Sequence, residues 1–131
     1  MKVFPEDVLY SSEHIWVRVD GYMATIGITD YAQEKLGDIL SVEFLEADTY
    51  VERDETFGSI ESVKDVADLI APVSGTISVI NEDITDDSDI INRDPYDTGW
   101  LIIIEMDNLE QIDDLMVAAS YPDFITQKEI D

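Results

Sequence analysis

The chain has 131 residues and no cysteine, which excludes disulfide bonds, thiolate metal sites and cysteine nucleophiles. It has one histidine, His14, whereas a zinc site usually combines several histidine or cysteine ligands. We therefore interpret His14 as a partly buried side chain that packs against Trp16, and we expect no metal site. Any redox sulfur chemistry must be carried by a group that is attached to the chain.

Basic residues are scarce, since 7 Lys and Arg stand against 31 Asp and Glu and give a formal net charge of −24. Nucleic acids and anionic membranes are both recognised by clustered Lys and Arg, so we expect neither as a partner. The charge favours encounters with proteins that have basic surfaces, and it lowers stability by self-repulsion, which salt screens. Adaptation to high salt is an alternative explanation for this composition.

Long apolar runs and motifs of nucleotide or catalytic sites are also missing. No segment is long enough to span a bilayer, and residues 1–13 resemble neither a signal peptide nor a transit peptide. We therefore expect a cytoplasmic protein, or a mitochondrial matrix protein if the chain is a processed form. The six glycines are isolated, and no P-loop, G-x-G-x-x-G, G-x-S-x-G or EF-hand pattern occurs. The motifs therefore do not indicate a self-contained enzyme.

The sequence does contain many short apolar runs that alternate with polar residues and recur every 8–12 residues or so. This pattern is typical of an antiparallel β sandwich or barrel. The length and the 45% hydrophobic content fit one domain, with a core at about 9–106 and no sign of an oligomer, so we expect a monomer. The predicted strands are 8–10, 15–20, 22–28, 39–45, 57–63, 66–70, 76–80 and 100–106, with a short one near 50–51.

Helices are predicted at fewer places. Thr29 or Asp30 caps a short helix that ends before Gly37, and the stretch 81–89 contains one helical turn capped by Asp83 or Thr85. The C-terminal segment 108–129 is predicted to be helical in two parts. In the first part, which Asn108 caps, five apolar side chains share one face: Leu109, Ile112, Leu115, Met116 and Ala119.

The runs 57–63 and 66–70 are separated only by Lys64 and Asp65, which predicts a β-hairpin with the lysine at its tip. Lys64 is the only lysine in the middle of the chain; the others are Lys2, Lys35 and Lys128. A single amine on a rigid turn is a suitable point for covalent attachment. The alternative is a solubilising lysine of an ordinary surface turn.

The sequence on both sides of this lysine has a recognisable order. Glu61-Ser62-Val63-Lys64 is followed by Asp68 and by APVSGTI at 71–77, and these residues resemble the lipoyl-attachment hairpin of the glycine cleavage system H protein family. The resemblance extends from about residue 9 to about residue 118. The other matching segments are HIWV at 14–17, ATIGITDYAQ at 24–33, LGD at 36–38, INRDPY at 91–96 and GWLI at 99–102.

The resemblance implies a mainly β fold, a flattened antiparallel barrel-sandwich hybrid with short helices, mostly C-terminal. It also implies that Lys64 carries lipoate and that a lipoate-attaching enzyme reads Glu61. The carrier then accepts an aminomethyl group from a pyridoxal-phosphate glycine decarboxylase and passes it to a tetrahydrofolate-dependent aminomethyltransferase. Dihydrolipoamide dehydrogenase reoxidises the carrier, which does no chemistry with its own side chains. Asp68 lies near the loaded arm in this interpretation; for Glu61 and Asp68 the alternative is a solvated strand carboxylate.

Two positions depart from the family pattern. The family usually has glutamate where this chain has Ile15, and that glutamate helps to hold the amine of the loaded arm. Isoleucine cannot accept a hydrogen bond, so either Glu13 or Asp68 takes over this role or the loaded arm is poorly protected. After the lysine the family commonly has small residues, whereas this chain has Asp65 followed by valine.

Alternatives to a carrier for glycine cleavage stay open at this stage. Ile15 favours an H-like lipoyl relay for another pathway, such as the oxidation of sulfur compounds. A non-lipoylated interaction module that keeps the fold is a third interpretation, against which the intact residues around Lys64 argue. A biotin carrier would have Met-Lys-Met at the tip, whereas Val63 and Asp65 flank the lysine here.

Overall fold

A computed structural model describes residues 4–130, with side chains as far as Lys128. The strands in this part of the chain are β1 (Leu9–Tyr10), β2 (Ile15–Asp20), β3 (Met23–Ile28), β4 (Ile39–Phe44), β5 (Tyr50–Val51), β6 (Thr56–Ser62), β7 (Val66–Ile70), β8 (Gly75–Ile80) and β9 (Ile102–Met106). They form two antiparallel sheets, one with six strands in the order β1-β2-β3-β9-β8-β5 and one with three in the order β4-β6-β7. The sheets do not close into a barrel.

The helices are short and lie around the sheets. Thr29 caps the first of them by accepting a hydrogen bond from the Ala32 backbone N–H, as one of the two predicted caps, and Gly37 ends it. Within residues 4–130, none of the helices has the length and apolar character needed to cross a bilayer. They are α1 (Asp30–Leu36), α2 (Glu82–Asp86), α3 (Asp89–Arg93), a 3₁₀ helix (Leu109–Asp114) and α4 (Tyr121–Ile130).

One cluster of buried apolar side chains, which we call the main core, joins the two sheets. The larger sheet contributes Ile26 and Ile104, the smaller sheet contributes Ile60 and Leu69, and each of the four is at most 3% exposed. Ile91 brings α3 into the same cluster. Because alternate side chains of a strand point to opposite faces, these strands turn one face toward the main core and the other away from it. Each buried isoleucine contributes about 1.5–3 kcal/mol relative to an exposed one.

A second cluster ties the C-terminal helix to the N-terminal strands. Tyr10 and Tyr121 stack with ring centroids 4.5 Å apart, and burial raises the pKa of both phenols. This aromatic cluster fixes α4 against α1 and β2. Its buried members are Val8, Tyr10, Trp16, Tyr31, Tyr121 and Ile125.

The structure corrects two helical predictions and adds one helix that was not predicted. Asn81, rather than Asp83 or Thr85, caps the turn that becomes α2, and α3 was not predicted. The helix expected after Asn108 is a 3₁₀ helix that ends at Asp114. It cannot continue, because the N–H and C=O of Met116 are both bonded to the backbone of Tyr10, at 2.7 and 2.8 Å. The apolar face predicted to include Met116 is therefore not the face of one helix.

Candidate modification site on the β6–β7 hairpin

The predicted hairpin is confirmed, and its strands pair in register up to the turn. Ile60 lies opposite Ala67 and Glu61 lies opposite Val66, which leaves a short turn with Lys64 in its middle. The backbone N–H of Ser62 donates to the carbonyl of Asp65 at 2.8 Å and closes this turn. Lys64 therefore stands at the end of the sheet, where its side chain is exposed.

The side chain of Ser62 organises the turn from inside. Its hydroxyl donates to the Asp65 carbonyl at 3.1 Å and accepts from the backbone N–H groups of Lys64 and Asp65 at 3.2 and 3.1 Å. Ser62 is 6% exposed, so these bonds are shielded from water. They explain why the turn forms without Asn-Gly or Asp-Gly at its tip. Sequence reasoning missed this role, although serine is a common turn former.

The Lys64 side chain lies over the turn that follows α1. A Cβ built on Gly37 would lie 3.4 Å from Lys64 Cε and 3.4 Å from Val63 Cγ2. Among the side chains described, those of residues 4–128, no ion pair joins the Lys64 amine to a carboxylate. The amine is thus supported along its stem and free at its end. Lys2, one of the other three lysines, lies outside the described residues.

The two carboxylates predicted around the lysine lie on one surface. Glu61 pairs with Val66 and Ser59 pairs with Asp68, so both carboxylates point to the solvent side of the smaller sheet. The hydroxyl of Ser41 donates to Glu61 at 3.4 Å. We call this surface the outer face. Its members are Ser41, Glu43, Ser59, Glu61, Val66 and Asp68.

The structure does not bring Ile15 or Glu13 to the hairpin tip. Ile15 is 1% exposed and belongs to the main core. Glu13 is exposed and lines a groove of about 430 Å³ together with Ile70 and Phe124. Ile70 is the last residue of β7, about 13 Å along the strand from Val66 at ~3.3 Å per residue. Of the carboxylates proposed to replace the family's glutamate, only Asp68 lies between the tip and this groove.

His14 is half-buried, as predicted, but its ring packs against different residues from those expected. Its centroid lies 4.9 Å from Tyr31, and a hydrogen bond of 2.7 Å joins its Nδ1 to the Tyr121 hydroxyl. Burial lowers the pKa of His14, and the negative charge of Glu13 opposes this shift. Trp16, the predicted neighbour, donates its indole N–H to the Pro95 carbonyl at 2.9 Å. His14 therefore holds α4 in place and lies away from the hairpin.

A family model and several relatives match nearly the whole chain. The model for the glycine cleavage H-protein matches residues 8–128. The glycine cleavage system H protein of Anoxybacillus flavithermus is 46% identical over 123 residues, covering 94% of this chain and 97% of the relative. The protein of the same name from Bacillus subtilis is 45% identical over 125 residues, covering 95% and 98%.

A solved structure extends the match to the fold. The crystal structure of a glycine cleavage system H protein from Mycobacterium marinum superposes with a TM-score of 0.83 at 34% identity. The match covers 95% of this chain and 98% of that one. It confirms the predicted mainly β, antiparallel fold with short helices. The sequence resemblance is confirmed as well: the chain belongs to the glycine cleavage system H protein family.

Proposed function

We propose that this chain is the lipoyl carrier of a glycine cleavage system, with lipoate joined by an amide bond to Nζ of Lys64. The observation that carries the proposal is the exposed amine at the tip of a turn that Ser62 fixes. Proteins of this family carry lipoate, which makes an accessible lysine the natural point of attachment. The family assignment favours this function over the relay and the interaction module.

The residues around Lys64 suit an attached arm with an apolar stem. Val63 and Val66 lie on either side of the pair Lys64 and Asp65 and are 59% and 61% exposed, so they offer apolar surface at the foot of the arm. Amide formation removes the ammonium charge, which changes the formal net charge from −24 to −25. When bound, the group supplies a dithiolane that can accept and release the one-carbon amine. The chain itself only positions the attached arm. The hydroxyl of Ser62, the nearest polar side chain before the lysine, is hydrogen-bonded within the turn and takes no part in the chemistry in this proposal.

The outer face supplies the remaining recognition in this proposal. Glu61 is exposed and three residues before the lysine, where the attaching enzyme would contact it. Asp68 is exposed on the same face and would lie beside the arm when the arm folds back along β7. Replacement of Glu61 by glutamine is expected to slow attachment. Replacement of Asp68 by asparagine is expected to leave attachment unchanged and to weaken retention of the loaded arm.

The partners follow from a carrier that does no chemistry of its own. We propose that it serves a glycine decarboxylase with pyridoxal phosphate, a tetrahydrofolate-dependent aminomethyltransferase and dihydrolipoamide dehydrogenase, and that a lipoate-attaching enzyme modifies it. A fixed tip leaves only the flexible arm to search each partner's site, and arm length then sets the effective concentration. The net charge of −24 steers the carrier toward basic surfaces on these enzymes.

The direct test of attachment is peptide mapping after treatment with lipoate and a lipoate-attaching enzyme. We expect one lipoyl group per chain, located on the peptide that contains Lys64. Lys128→Arg is the matched control, since Lys128 lies over the Phe124 ring at the far end of α4 and its loss should leave attachment unchanged. Modification of another lysine, or none in a folded sample, would overturn the proposal and favour an interaction module.

A further inference from the structure

Asn92 lies in α3, outside the hairpin, and makes three hydrogen bonds to the end of α1 and the residues that follow. Its Nδ2 donates to the carbonyl of Gly37 and to Oε1 of Gln33, both at 2.9 Å. Its Oδ1 accepts from the backbone N–H of Ile39 at 3.0 Å. Both donors and the acceptor are therefore used, and the amide has one orientation. We call residues 37, 38 and 39 the 37–39 turn.

The 37–39 turn also holds the hairpin tip. The backbone N–H of Val63 donates to the Asp38 carbonyl at 3.0 Å, beyond the last paired residue of β6. The stem of Lys64 lies over Gly37, as described above. Without these contacts the tip would be held only by its own turn bonds and by the pairing of Ser62 with Ile39 in β4, and exposed hairpin ends open readily.

The anchor of this arrangement is α3. Ile91 is fully buried in the main core and fixes the helix there. Ser88 donates its hydroxyl to the carbonyl of Ile39 at 2.9 Å, while Asn92 takes the N–H of the same residue. Both backbone groups of Ile39 are thus held, one by α3 and one by Ser88, the residue just before α3, and β4 begins at Ile39.

We infer that Asn92 is a positioning residue for Lys64, acting through the 37–39 turn to fix the place from which the attached arm starts. The inference rests on the proposed function and adds a residue to it. Asn92 does not touch the lysine. Its role is to keep the bond between Asp38 and Val63 closed, so that partner enzymes meet the lysine in one place rather than on a frayed tip.

Asn92→Asp tests this with little change of shape. The carboxylate keeps the bond from Ile39 but loses both donated bonds and faces two acceptor oxygens. Asn81→Asp is the matched control, because Asn81 also makes three bonds, donating to the carbonyls of Thr98 and Trp100 and accepting from the Asp83 N–H. Both variants lose two donated hydrogen bonds, but only the bonds of Asn92 lead to the hairpin tip.

Two readouts separate positioning from general stability. The first is amide hydrogen exchange of Val63 in the unmodified protein, which we expect to be about tenfold faster in Asn92→Asp than in the wild type and in Asn81→Asp. The second is lipoate attachment at a temperature where all proteins are folded. We expect kcat/KM for attachment to fall about threefold to tenfold in Asn92→Asp and to stay within about twofold in Asn81→Asp.

Equal Val63 exchange in the two variants would overturn the inference, and so would faster exchange with unchanged attachment. If the wild type is not lipoylated at all, the proposed function fails, but the exchange comparison still decides whether Asn92 holds the tip. If Asn92→Asp does not fold, Asn92→Ala takes its place, with Asn81→Ala as control because each substitution removes three side-chain hydrogen bonds. The same pattern of exchange and attachment is then required of that pair.

Discussion

Lys64 extends its side chain across Gly37, so that a Cβ at position 37 would lie 3.4 Å from Cε of the lysine. The two residues are far apart in sequence, and the contact depends on the bond between Val63 and Asp38 at 3.0 Å. Gly37 has φ 77° and ψ −155°, a region that is almost restricted to glycine. One glycine therefore ends α1 and makes room for the stem of the lysine.

Gly37→Ala is expected to lower the free energy of unfolding by about 1–3 kcal/mol, because alanine would be strained at this φ and ψ. It should also slow lipoate attachment, since the added methyl touches the lysine stem. Urea unfolding and the rate of attachment measure the two effects. Gly21→Ala separates the backbone strain from the contact with the lysine. Gly21 has φ 62° but nothing within 4 Å of its Cβ position, so the Gly21→Ala protein should be less stable and should be lipoylated at the wild-type rate. Equal slowing of attachment in both variants would count against the contact.

Ile15→Glu is expected to be strongly destabilising. Ile15 is 1% exposed in the main core, where a carboxylate would have to be buried or would force β2 outward. We expect a loss of about 3 kcal/mol or more in the free energy of unfolding. Ile15→Val should lose only about 1 kcal/mol. A glutamate variant as stable as the valine variant would show that position 15 opens to solvent.

Stability should depend on pH through His14. The folded state lowers the pKa of His14 by burial, whereas the unfolded chain has a value of about 6.5. The unfolded chain therefore binds a proton first as pH falls, so the contribution of neutral His14 is complete above pH ~6.5 and is lost as pH falls through the folded pKa.

His14→Asn isolates this contribution. Asparagine tolerates the φ of 65° at this position and does not titrate between pH 5 and 8. We expect the free energy of unfolding of the wild type, minus that of the variant, to be constant above pH ~6.5 and to decrease at lower pH. Urea unfolding at several pH values measures it, and subtraction of the variant's values removes the contributions that the two proteins share. A difference that does not change with pH would contradict the burial of neutral His14.

The hairpin and its lysine could be predicted because they depend on local sequence. Alternation places the strands, and the polar pair Lys64 and Asp65 leaves one position for the turn. The same reasoning failed after Asn108, where a helical pattern of apolar residues is present. There the backbone of Met116 bonds to Tyr10, and a contact between such distant segments leaves no trace in local periodicity.

The supports of the candidate site could not be predicted for a related reason. Asn92 is 55 residues from Gly37 in sequence, and Tyr121 is 107 residues from His14. Each makes hydrogen bonds that only the folded chain brings together. Ile15 was interpreted from the family pattern as a residue of the arm's cleft, and its burial became visible only in the structure. The roles of Glu61 and Asp68 stay predictions.

The most direct test of the account is carbon dioxide release from glycine by a purified glycine decarboxylase, with the lipoylated chain as acceptor. We predict release that depends on Lys64 and disappears in Lys64→Arg. The free energy of unfolding of that variant should lie within about 0.5 kcal/mol of the wild-type value, because the exposed tip buries little surface. Full lipoylation at Lys64 without carbon dioxide release would contradict the account and favour a lipoyl relay for another pathway.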